Sequence, residues 1–100
     1  MAFLRIAVFD IEDAPEDAPE VWDDLVGSAL RNHPDCLRVM LSHRGTNFAV
    51  VSQWSSEGAF HAAMESKPLQ DVIATVAARL GVSGSPDPMF HFEGDIEDEM

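Results

Sequence analysis

Apolar positions come in short blocks whose period changes along the chain. Phe3 to Asp10 (FLRIAVFD) is rich in β-branched and aromatic residues and predicts a first strand. After an acidic connection through Pro19 the period turns helical, with Val21, Trp22, Leu25, Val26, Ala29 and Leu30 on one stripe. Asp17-Ala-Pro-Glu20 reads as the start of that helix: an acidic cap, a proline in the first turn, and Glu three residues on. The helix should stop near Asn32, before Pro34. Cys36 to Ser42 predicts a second strand, and a short turn from His43 with Gly45 leads into a third, Asn47 to Trp54. The run Phe48 to Val51 is continuously apolar, as in a strand covered on both faces.

Ser55 or Ser56 then caps a helix carrying Ala59, Phe60, Ala63 and Met64. Pro68 opens another, with Leu69, Val72, Ile73, Val76, Ala77 and Leu80 on one stripe and Gly81 just past its end. Val82 to Pro88 reads as a linker and Met89 to Glu93 as a fourth strand. Strand-helix-strand, twice, predicts a ferredoxin-like α+β fold: a four-stranded antiparallel sheet with helices on one face. One domain should cover residues 1–94, with an acidic tail over 95–100.

Alternation divides the strands into two faces. One reads Leu4, Ile6, Val8, Leu37, Val39, Leu41, Ala49, Val51, Phe90 and Phe92; it is wholly apolar and is expected to meet the helices. The other reads Phe3, Arg5, Ala7, Phe9, Cys36, Arg38, Met40, Ser42, Phe48, Val50, Ser52, Trp54, Met89 and His91. That mixed face is too apolar to stay in water, and it predicts a homodimer that encloses a small-molecule cavity between two sheets.

Charge narrows the partners. The formal net charge is -12, with eight carboxylates between Asp10 and Asp24 and five between Glu93 and Glu99. This argues against nucleic acid and anionic membrane surfaces, which require basic patches. The acidic runs lack calcium-loop spacing, and the four histidines lack metal-ligand spacing. The lone Cys36 rules out an internal disulfide and fits a reducing cytoplasm; neither a signal peptide nor a membrane span is read.

The stretch from Asn32 to Pro68 resembles the antibiotic biosynthesis monooxygenase (ABM) family of dimeric α+β barrels. The resemblance rests on the His33-Pro-Asp-Cys36 entry, the hairpin, a strand ending in Gln53-Trp54, the helix start Ser56 to Phe60, and Ser66-Lys-Pro68. It implies a homodimer and, in one branch, cofactor-free oxygenation of phenols or quinols of polyketide type. A non-catalytic ligand-binding dimer is the alternative. The haem-degrading branch is a lesser one, because this chain has Ala7 and Ala63 or Met64 where that branch places functional residues, and His61 points off the apolar stripe.

No nucleophile elbow, phosphate loop or dinucleotide fingerprint is present, so if the chain is an enzyme the chemistry must come from the substrate. The expected pocket residues are Trp54, Arg38, Arg5, Phe9, Phe48, Met40 and Ser52. In that expectation an arginine steadies an anion and aromatics sandwich a ring. His91 is the candidate base, since imidazole titrates near neutrality.

Overall fold

The computed structural model describes residues 2–12, 15–80 and 88–97. Strand β1 spans Phe3–Asp10, β2 Cys36–Arg44, β3 Asn47–Trp54 and β4 Phe90–Asp95. They form one antiparallel sheet in the order β2-β3-β1-β4. Three helices cover one face, so the ferredoxin-like α+β plan expected from the periodicity is the observed one. The stop at Gly81, most of the linker before Pro88 and the last three residues of the tail lie outside the described residues.

The first helix, α1, is continuous but not uniform. It is α-helical over Ala18–Trp22, widens to a π turn over Asp23–Gly27, and returns to α over Ser28–Arg31. Asn32 forms its C-terminal cap, as Pro34 requires. Asp17 occupies the N-cap position but makes no side-chain cap bond, so the acidic capping arrangement expected there does not form. Helix α2 spans Glu57–Glu65, and Ser56 rather than Ser55 caps it: its Oγ accepts from the Ala59 N–H at 3.1 Å. Helix α3 spans Lys67–Arg79, with proline in its first turn. The β2–β3 hairpin closes on Gly45-Thr46, and Gly45 has φ of 61°, a conformation glycine adopts without strain.

In β1, β3 and β4 the two sheet faces are the reverse of the expectation from alternation, whereas Val39 and Leu41 of β2 meet the helix side as expected. Phe3, Ala7, Phe48, Val50, Ser52 and Trp54 are buried beneath the helices, whereas Met40, Phe90 and Phe92 are more than half exposed on the opposite side. Both faces are rich in apolar side chains, so composition alone does not decide which one the helices take. The helices bring large aromatics of their own, and these interlock with the mixed face. Trp22 stacks on Phe48 with centroids 5.4 Å apart, Phe60 meets Phe3 at 5.4 Å and Trp54 at 5.5 Å, and Trp22 meets Phe9 at 5.3 Å.

Strand β2 departs from simple alternation through a bulge. Cys36 pairs with Trp54, but Arg38 pairs with Gln53, so Leu37 is the extra residue and is exposed. The bulge returns Val39 and Leu41 to the helix side, opposite Ser52 and Val50. It leaves Arg38, Met40 and Ser42 opposite Gln53, Val51 and Ala49 on the open face.

Candidate functional site

Pairing sets Ser52, Arg5 and Glu93 side by side across β3, β1 and β4. Above this row, between sheet and helices, lies a cavity of about 170 Å³. The sheet supplies Arg5, Phe9, Val50 and Ser52; α1 supplies Trp22, Val26 and Leu30; α2 supplies Met64; α3 supplies Leu69, Ile73 and Val76. Pro88 lies at the border. An engineered apolar cavity of ~150 Å³ admits benzene, so this space matches about one aromatic ring.

Its polar groups are few. The Arg5 side chain is mostly buried, and burial pulls its guanidinium pKa below the ordinary value, with Glu93 opposing the shift. The ion pair is loose, with Nε and the Glu93 Oε2 3.9 Å apart. Phe60 lies under the guanidinium at 5.3 Å from the ring centre. Arg5 Nε is sealed from solvent without a hydrogen-bond partner, and so is Trp22 Nε1. The buried Ser52 hydroxyl accepts the Trp54 Nε1–H at 2.9 Å, and its own proton remains to be donated. Among the described residues the lining contains no histidine or carboxylate. These residues can hold a ring and stabilise negative charge on it, and they include no side-chain base.

The other expected site residues are dispersed. Trp54 is not a pocket wall: it is wholly buried core, its N–H already taken by Ser52 and its ring packed against Phe60 and His33. Phe48 lies behind Trp22 and does not line this cavity. Arg38 and Met40 are exposed on the open face because of the β2 bulge. His91 pairs with Ala7 from the edge strand β4, where it is exposed and away from the cavity lining. Cys36 is half-buried and its thiol pKa is raised by burial, which suits a small hydrophobe rather than a nucleophile. Of the residues weighed for haem, Ala7 and Ala63 are core, His61 pairs with Glu57 on the outer side of α2, and only Met64 meets the cavity. A ring-sized space with no imidazole does not fit haem.

Neither protein-family models nor curated proteins match the chain. Solved structures do. SnoaB, a cofactor-independent oxygenase from Streptomyces nogalater, superposes with a TM-score of 0.75 at 15% identity, over 99% of this chain and 96% of that one. A structure named as an antibiotic biosynthesis monooxygenase gives 0.68 at 16% identity, over 96% and 99%. Rv0793 from Mycobacterium tuberculosis gives 0.66 at 18% identity, over 99% and 98%. The chain has the ABM fold.

Within the ABM fold, the residue that sequence reading missed is Trp22. It belongs to a regular helical stripe and so reads as core, yet its indole forms a cavity wall with an unpartnered N–H. Hydrophobic period reports burial but not the fate of a polar tip. Among the described residues no group of three or more His, Cys, Asp or Glu is placed to hold a metal, and no helix is long and apolar enough to cross a membrane.

Proposed function

We propose that this chain binds a phenol or quinol of polyketide type, one ring of it seated in the cavity between sheet and helices, and oxygenates it without a cofactor. The observation that carries this reading is the desolvated Arg5 guanidinium facing an otherwise apolar, ring-sized cavity. A cation there favours the substrate's anion over its neutral form and lowers the substrate's pKa. The described lining residues include no base, and in this reading the proton passes to solvent. The anion's carbon bonds to oxygen, and the resulting hydroperoxide loses water as its O–O bond breaks. A ring methylene and one O₂ become a carbonyl and one water. That SnoaB, which shares this fold, is a cofactor-independent oxygenase supports the reaction class.

The test is oxygen uptake over a panel of quinols and anthrones, with Arg5→Met beside the natural chain. Uptake above the buffer rate is expected, and it should fall about 10²–10³-fold in Arg5→Met, the usual effect of losing a charge-stabilising donor. Uptake equal to buffer across the panel would remove the oxygenase. That the described lining residues include no base favours one second reading, a non-catalytic binder of the same ligands. That reading predicts saturable ligand binding without oxygen consumption.

The open sheet face supports a homodimer. Met40, Phe90 and Phe92 expose large apolar surface there, and Leu4, Ile6, Val8 and Val51 lie among them. A second copy of the chain would cover this surface sheet to sheet. In this arrangement each chain keeps its own cavity on the far side of its sheet. The free thiol of Cys36 is consistent with a reducing, cytoplasmic setting.

A further inference from the structure

Trp22 is a wall of two cavities, not one. A second space of about 190 Å³ also meets its indole and is lined by Pro19, Leu41, Ser42, His43 and Phe48. The ring common to both linings is buried in the core and makes no side-chain hydrogen bond. It stacks on Phe48 at 5.4 Å and 19° and tilts against Phe9 at 5.3 Å, while its N–H bonds to nothing. The helix backbone widens into its π turn at the very next residue, Asp23, and π turns inside α-helices occur often at functional sites.

We infer that Trp22 is a partition that sets ligand size. It divides one elongated cleft into two compartments, each with room for about one ring. Joined, they reach the lower end of the ~300–1,000 Å³ range of small-molecule sites. The inference rests on the ring-binding reading of the first compartment. With Trp22 in place a single-ring phenol fits. A fused two-ring phenol must protrude or displace the indole. Without the indole, the second ring extends toward Phe48 and Leu41.

The experiment is calorimetric titration of the full chain with phenol and with 1-naphthol, for the natural protein, Trp22→Ala and Trp22→Leu. Leucine keeps apolar bulk and helix preference, so Trp22→Leu carries the test if the alanine variant fails to fold by circular dichroism. The expected result is a gain of about tenfold or more in naphthol affinity relative to phenol, in every folded variant. An unchanged ratio, with phenol still bound, overturns the partition and leaves the ring-binding site standing. Failure of both ligands to bind any form overturns the binding reading and the partition together.

Discussion

Arg5 separates stability from function more cleanly than any other residue in the chain. Its guanidinium is drawn out of water and is matched by a loose ion pair to Glu93 and by the face of Phe60. Replacing both partners of a buried ion pair by apolar chains is often neutral or stabilising, whereas removing one leaves the other uncompensated. Glu93 keeps enough exposure to regain water, so Arg5→Met should lower urea stability by no more than ~1 kcal/mol, while losing ligand affinity and oxygen uptake. A marked loss of stability in that variant would make Arg5 a structural residue. Ser52 predicts the opposite balance. Ser52→Ala strips the wholly buried Trp54 indole of the hydroxyl that accepts its N–H. An unsatisfied buried donor costs about 1–3 kcal/mol, and the loss should appear in the urea midpoint together with a shift in Trp emission. That Arg5 and Ser52 share a face was legible from strand alternation alone. That Trp54 spends its N–H on Ser52 was not, because the bond depends on side-chain geometry within the strand rather than on spacing.

At the scale of elements, local rules explain most boundaries. Ser56 caps α2 through one hydrogen bond, so Ser56→Ala should cost about 1 kcal/mol in thermal or urea unfolding. A smaller loss than a few tenths would mean that α2 is held by Phe60 and Ala63 packing alone. Strand and helix limits followed from Pro34, Gly45 and the change of period. The sheet faces did not, for two physical reasons. In β1 Arg5 marks the more polar side, with Leu4, Ile6 and Val8 opposite, yet the helices cover the Arg5 side because Phe3, Ala7 and Phe9 flank it and pack against the helix aromatics. In β2 the bulge at Leu37 breaks the two-residue period, and every later side chain lies opposite to a naive count from Cys36.

The whole molecule couples an apolar sheet face to a large acidic charge. These oppose each other in self-association: burial of Met40, Phe90 and Phe92 favours it, and the net charge of -12 on each copy resists it. Salt screens only the second. The dimer should therefore tighten as salt rises from ~0.01 to ~0.15 M, where the Debye length falls from about 30 to about 8 Å. Light scattering at both salts measures this, and Met40→Glu should shift the population to monomer while far-UV circular dichroism stays unchanged. A natural chain that remains monomeric at high salt and high concentration would leave the open face without a second copy.

The bulge at Leu37 also makes this strand editable. Insertions and deletions are normally confined to loops, because removing one strand residue throws its successors onto the wrong face. Leu37 is the exception within β2. With it gone, Cys36 inward, Arg38 outward and Val39 inward would follow in plain alternation, and every contact beyond would keep its partner. Such a chain, one residue shorter in the middle of a strand, would carry the same core and the same cavity.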